Sequence, residues 1–418
     1  MNKEVGFVME FRLSAEQELW KNTVREFAEA EIEPIARKID EEWERIPDEI
    51  IQKMADLGIF GVTIPEEYGG MAMPGEEMQF ARITVHELAR AELSMSLPVY
   101  TLLCIGWSFL LNQYGTEEAK EEILPRVATG EWFIGINTTE PGGGSDLANI
   151  KTVGKSDGDK WIVNGEKAYI SGVREADERG GGHLTLFKTD PEAGYKGTTF
   201  AYFPANAPGT TYTTYHDMGR MGLSTGGFVY KDVEIPKKYI LGEENKGFYV
   251  NMEGFNAARI LVSAACLGGA EKCLEISKEY TRQRVLFGRP LVNFEAISFE
   301  IADDYAQLQM LKLMLQKAAW MVDQFYQDRS SFTKEQINTT VSICKAHAPM
   351  LAVDAAKHGM MYHGGFGYTK DTPLEMALRG AMSYVVGAEG GYHIQKIIIA
   401  RDYIGDEAVP FRGTQKGH

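Results

Sequence analysis

Hydrophobic and polar positions change their rhythm twice along the chain. The first stretch, "LSAEQELWKNTVREFAEAEIEPIARKIDEE", opens with Ser14 and Gln17 at capping-box spacing, where each side chain satisfies a backbone N–H of the other. Apolar Leu19, Val24, Phe27, Ala28 and Ile32 follow near helical spacing. "PEEYGG" at 65–70 reads as a turn, and a second helical block runs from about 76 to 112. Near residue 131 the texture changes. "WFIGINTTEPGGGSD", "KWIVNGEKAYISG", "HLTLFKT", "TTFAYFPA" and "GGFVYKDVEIP" are short β-rich or alternating runs punctuated by Gly, Asn, Asp and Pro. Their spacing does not separate a barrel from a sandwich. From about 245 three long helical patterns follow, and long helices joined by short loops predict antiparallel neighbours in a bundle. The expected fold class is therefore mixed α and β. Residues 1–130 form an N-terminal helical domain, 131–244 a central β domain, and 245–418 a C-terminal helical bundle with a tail.

One segment requires a membrane check. Leu93 to Thr116 carries no charge over 24 residues. It contains Ser94, Ser96, Pro98, Ser108, Asn112 and Gln113, which suit a buried core helix better than a membrane span. The N-terminus lacks the long apolar run of a signal peptide, so the expected location is cytoplasmic.

Composition narrows the function classes. With 418 residues, 44% hydrophobic and 24% charged, the chain is ordinary globular material with enough length for a large core. The formal charge of −16 argues against nucleic acid or an anionic membrane as the main partner. A local basic patch still permits an anionic substrate. The four cysteines, Cys104, Cys266, Cys273 and Cys344, form no CxxC pair and lie in apolar surroundings, as buried free thiols do. The eight histidines show no metal-ligand spacing, and no metal is expected.

Several Gly-rich and basic stretches invite chemistry, each with a plainer reading beside it. "EPGGGSD" at 140–146 lacks the P-loop lysine and reads alone as a turn. Its flank, Asn137-Thr138-Thr139, offers groups suited to the polar edge of a heterocycle. "RQRVLFGRP" at 282–290 supplies Arg282, Arg284 and Arg289, either for phosphates or as a solvated helix end. "YHGGFGYTKDTPLE" at 362–375 reads singly as a helix C-cap and turn. In "GAEGGYHIQKIIIAR" one acid, Glu389, stands among Gly387, Gly390 and Gly391, ahead of an apolar helix. By itself that is a solvated loop acid.

Together these segments carry more. In order the chain has "TTEPGGGSD", "NGEKAYISG", "GGFVYKDVEIP", "LGEENKGF", "RQRVLFGRPL", "HGGFGY" and "AEGGYHIQKIIIAR". Their order and spacing resemble the acyl-CoA dehydrogenase family of flavoproteins, over roughly residues 10 to 403. The resemblance implies an N-terminal helical domain, a central β domain and a C-terminal four-helix bundle. It also implies non-covalent FAD, an acyl-CoA substrate, a homotetramer built as a dimer of dimers, and an electron-transfer flavoprotein as partner. By the same resemblance Thr139 bonds the pyrimidine end of the flavin, and Ser145 lies near the flavin and the pantetheine arm. Tyr169 covers the ring, and the Ser171 hydroxyl faces N5. Arg284 and Phe287 clasp the pyrophosphate and adenine of a neighbouring subunit's FAD, and Gly364 and Gly365 let the adenosine half pass closely. Arg259 lies on the helix lining the acyl-CoA site.

Glu389 falls where most family members carry the catalytic base. The alternative position, on the helix before the arginine, is Ala258 here. The implied reaction is α,β-desaturation of the thioester. Glu389 takes the α-proton, the β-hydride passes to flavin N5, and the Gly390 N–H with a ribityl hydroxyl polarises the carbonyl. The expected pocket wall comprises Met95, Leu97, Tyr100, Ser94 and Ser96, with Tyr384 near Glu389. No arginine sits where glutaryl-CoA members bind a distal carboxylate, and a cyclic or branched acyl group is the expected substrate. The chain departs from the pattern at Met361, at Gly391 followed by Tyr392, and at Met221-Gly222-Leu223, where Arg-x-Ser is common. Rival readings are an enoyl-CoA reductase running in reverse, a flavin oxidase or monooxygenase on the same scaffold, and a silent CoA-binding protein.

Overall fold

Ser14 starts the first helix. In the structure, a computed structural model that describes residues 10–41 and 45–409, its Oγ accepts from Gln17 N (3.2 Å) and its N–H donates to Gln17 Oε1 (3.3 Å). Helix α1 (Ala15–Phe27) runs into a π turn over Ala28–Ile32. Its inward stripe holds the expected Val24, Ala28 and Ile32, and departs from expectation only at Leu19. Trp20 is buried and donates Nε1 to Thr84 Oγ1 (2.8 Å), whereas Leu19 is 69% exposed. Short helices α2 (Ala36–Asp40) and α3 (Asp48–Asp56) follow. The block expected over 76–112 is two helices, α4 (Glu77–Ala91) and α5 (Ser96–Tyr114). Met95 breaks them apart at φ 68, and the buried Glu92 carboxylate accepts the N–H groups of Ser94 (2.7 Å) and Leu97 (3.0 Å) at the start of α5. Pro98 sits in the first turn of α5, where a missing N–H leaves no bond unmade. The uncharged segment is a buried core helix, and no helix of the described residues is long and apolar enough to cross a membrane. Helix α6 (Glu117–Ala128) completes this part.

The β-rich part forms a single seven-stranded sheet. Its strands are β1 (Phe133–Asn137), β2 (Val153–Asp157), β3 (Lys160–Ser171), β4 (Gly181–Lys188), β5 (Thr198–Pro204), β6 (Thr210–Thr214) and β7 (Thr225–Pro236), with α7 (Val173–Glu178) between β3 and β4. The order is β1-β4-β2-β3-β7-β6, and β5 pairs with β4. β1 and β4 are parallel, while β3 and β7 are antiparallel with register shifts at Val163/Gly165 and Ala168/Ile170. The second shift is a bulge, which re-aims the side chain it carries. That residue is Tyr169, at φ 60 and 69% exposed.

The last part is the helical bundle. Helix α8 (Gly247–Gln283) spans 37 residues and packs on α4 and α5 as well as on α9 (Glu295–Gln327) and α10 (Lys334–His363). A small hairpin, β8 (Val285–Leu286) and β9 (Arg289–Pro290), projects from its end. Helices α11 (Leu374–Val386) and α12 (Tyr392–Ile404) pack against α10, joined by the turn that carries Glu389. All four cysteines are buried and free.

Candidate active site

A cavity of about 1000 Å³ opens where helices and sheet meet. One wall is the Val99, Leu102 and Leu103 face of α5. The loop after β1 contributes Thr139 and Ser145, β3 contributes Tyr169 and Ser171, and the segment before β7 contributes Arg220. From the bundle come Arg259 of α8, Tyr384 of α11, and Glu389.

The turn holding Glu389 is strained. Ala388 (φ 53), Glu389 (φ 44) and Gly390 (φ 94) lie in succession in the left-handed region, which costs a non-glycine residue about 1–2 kcal/mol. Three buried side chains fix its carbonyls. Lys345 of α10 donates Nζ to the carbonyls of Tyr384 (2.7 Å), Gly387 (3.3 Å) and Gly390 (3.4 Å). Arg259 donates Nε to the Glu389 carbonyl (2.9 Å). Gln395 of α12 donates Nε2 to the carbonyls of Gly390 (2.7 Å) and Glu389 (3.2 Å). These bonds leave the Glu389 carboxylate to the cavity, with Oε2 buried and unpartnered among the described residues. Burial holds its pKa above the usual carboxylate range, opposed by the charges of Lys345, Arg259 and Arg220. Burial also lowers Lys345 to about 8, against the pull of Glu389.

Opposite lies a polar and aromatic wall. Thr139 is pinned by its carbonyl, which accepts from Ala168 N (2.9 Å). Behind it the buried Lys167 donates to the Thr138 carbonyl (3.2 Å) and to Glu140 Oε1 (3.1 Å). The Ser171 carbonyl accepts from His183 Nε2 (3.0 Å), whose ring packs on Phe133 and Phe228. At Gly142 a Cβ would meet nothing within 4 Å, whereas at Gly144 it would stand 3.4 Å from Thr139 Cγ2, so the loop is open at Gly142 and in contact with Thr139 at Gly144.

Three family models match in sequence order: the acyl-CoA dehydrogenase N-terminal domain over 14–131, the middle domain over 135–233 and the C-terminal domain over 245–404. The chain belongs to the acyl-CoA dehydrogenase family. It is 34% identical to the acryloyl-CoA reductase (NADH) of Anaerotignum propionicum, covering 94% of this chain and 96% of that one. To the short-chain specific acyl-CoA dehydrogenase of Clostridium acetobutylicum it is 32% identical, over 94% and 99%. The structure of a glutaryl-coenzyme A dehydrogenase with glutaryl-CoA superposes with a TM-score of 0.86 at 29% identity, over 95% and 97%.

An acyl-CoA dehydrogenase is an FAD-dependent oxidoreductase, and the cavity fits that cofactor. Tyr169 offers an aromatic face, Thr139 and Ser171 offer hydroxyls, and the glycine loop that lines the cavity is open at Gly142. The structure brings Thr139, Ser145, Tyr169, Ser171, Arg259, Tyr384, Glu389 and Gly390 into this one cavity. It leaves Arg284, Phe287, Gly364 and Gly365 outside the lining and on the surface, Phe287 being 93% exposed.

The expected wall is corrected at Met95 and Tyr100. Met95 turns its methyl toward α8, within 2.6 Å of where a Cβ on Gly269 would stand. Tyr100 packs between Phe60 and Phe133 in the core. The cavity is met instead by residues 99, 102 and 103, which share a helix face at i, i+3 and i+4. Leu97, Ser94 and Ser96 are also buried away from the lining. Sequence reasoning missed Arg220, Lys345 and Gln395. A lysine inside the apolar run "VSICKAHAPMLA" was a readable sign of a buried, bonded cation.

Proposed function

We propose that this enzyme desaturates an acyl-CoA thioester between Cα and Cβ, with Glu389 as the base that removes the α-proton. The supporting observation is a cavity carboxylate with a buried, unpartnered oxygen on a turn fixed by Lys345, Arg259 and Gln395. The Gly390 N–H, which makes no hydrogen bond among the described residues, donates to the thioester carbonyl and acidifies the α-carbon. FAD, when bound, supplies the acceptor for the hydrogen and electron pair that leave Cβ. Thr139, Ser145, Tyr169 and Ser171 hold its ring. Arg284, Phe287, Gly364 and Gly365 hold the adenosine half of a neighbouring subunit's cofactor in a homotetramer. An electron-transfer flavoprotein takes the electrons onward. Val99, Leu102, Leu103 and Tyr384 shape the acyl site for a branched or cyclic group.

Glu389→Gln tests the role directly. The variant should stay yellow yet not bleach when the wild type's thioester is added anaerobically. Bleaching at the wild-type rate would remove Glu389 from the mechanism. A panel of CoA thioesters tests the acyl group, and reaction of straight chains only would reject the branched or cyclic assignment.

A second reading runs the same site in reverse, with Glu389 returning a proton to Cα of an enoyl-CoA. The relative named acryloyl-CoA reductase favours it. Chemically reduced enzyme reoxidised by an enoyl-CoA much faster than oxidised enzyme is bleached by the saturated thioester would select this direction.

A further inference from the structure

Three arginines reach the cavity, and their partners set them apart. Arg379 is held by Glu375 Oε2 (2.7 Å), by Asp40, and by the Met218 carbonyl (3.1 Å). Arg259 is committed to the Glu389 carbonyl and to Asn256 Oδ1 (3.2 Å). Arg220 has only loose partners. Its guanidinium lies 3.4 Å from Ser171 Oγ, 3.2 Å from Thr225 Oγ1 and 3.6 Å from Asp217 Oδ2. Its Nε is buried and unpartnered among the described residues, and the side chain is only 13% exposed.

The backbone is bent to place it there. Arg220 has φ 59, a conformation that costs a side-chain-bearing residue about 1–2 kcal/mol. The left-handed turn carries the guanidinium into the cavity lining.

A desolvated guanidinium with donors to spare is suited to an anion. The proposed reaction creates one beside it. The substrate loses a proton from Cα to Glu389, which becomes neutral. It loses a hydride from Cβ to the bound acceptor, which gains one negative charge, as the Cα=Cβ bond forms. We infer that Arg220 stabilises the negative charge that bound FAD gains on reduction, and thereby raises its midpoint potential. The inference rests on the reading that the flavin ring binds against Tyr169 and Ser171.

The test uses full-length holoenzyme carrying Arg220→Gln or Arg220→Lys, with FAD content checked by visible spectrum. Midpoint potential is measured against reference dyes without substrate. Sulfite affinity gives a second readout, because sulfite forms an anionic adduct with the bound flavin. Arg220→Gln should lower the potential and weaken sulfite binding about tenfold, with Arg220→Lys between it and the wild type. Unchanged potential and sulfite affinity in both variants would overturn the inference, even if thioester preference changed, because Arg220 would then serve the substrate. Should the Gln variant lose FAD, the Lys variant carries the same comparison. A wild type that binds no FAD would instead defeat the underlying reading of the cavity.

Discussion

Glu389 owes its placement to its neighbours as much as to its own chemistry. The flanking glycines made close backbone approach legible in the sequence, but Gly387 and Gly391 are not the left-handed residues. Ala388, Glu389 and Gly390 take that conformation. Gly391 is required for another reason, since a Cβ there would stand 2.8 Å from the Val386 carbonyl. A buried acid is an effective base only when ionised. Activity should therefore rise with pH through a limb lying above the ordinary carboxylate range, because burial raises the Glu389 pKa. A pH profile of kcat/KM with its acid limb near the value of a free glutamate would contradict this. Loss of the base in Glu389→Gln should lower kcat by about 10²–10⁴-fold, read by stopped-flow bleaching. Arg220 was not legible in the sequence, because nothing in the local pattern marks the left-handed turn that carries it into the cavity lining.

At the scale of elements, the α11–α12 turn is positioned by α10. Lys345→Met leaves the carbonyls of Tyr384 and Gly387 without that donor, while Gly390 keeps its bond from Gln395 Nε2, and each buried acceptor left unsatisfied costs about 1–3 kcal/mol. The variant should keep FAD, lose kcat more than KM changes, and show faster amide exchange confined to residues 384–391. Equal exchange in the two proteins would dissociate Lys345 from the turn. The α5 face makes a sharper comparison. Leu103→Trp should raise KM for longer or bulkier thioesters, whereas Tyr100→Phe should leave KM unchanged across the series, because Tyr100 lies in the core. The sequence correctly indicated a buried, uncharged helix there. It did not fix the helical phase, because α5 is apolar nearly all round and no polar stripe marks an outer face. In α1 the miss has a different cause, since adjacent Leu19 and Trp20 are both apolar and only Trp20 falls on the buried face with Val24.

For the whole molecule, the changes of texture were legible because helical and strand periodicities differ so strongly. Sheet order was not, since pairing such as β1 with β4 depends on long-range contacts that local patterns do not encode. Global stability also depends on a buried group near the site. Burial lowers the pKa of His183 to about 4, opposed by its bond to the Ser171 carbonyl. The unfolded chain takes up that proton near pH 6.5, so stability is full above about 6.5 and falls as pH drops toward 4, by about 3 kcal/mol. Urea unfolding at pH 7 and pH 4.5 should show a smaller acid loss in His183→Gln than in the wild type. An identical loss would assign acid sensitivity elsewhere.

Helix α8 has a consequence for how the cofactor is kept. Arg259 touches the cavity, and Arg284 caps the helix 25 residues later, about 38 Å away at 1.5 Å per residue. An arginine so distant from Arg259 is consistent with the proposed grip on a neighbouring subunit's FAD. Under that proposal the cofactor is held by two chains, and mass action governs its retention. Dilution would then release FAD while the helices stayed folded, so the share of FAD retained with the protein on ultrafiltration would fall with protein concentration well before any loss of secondary structure.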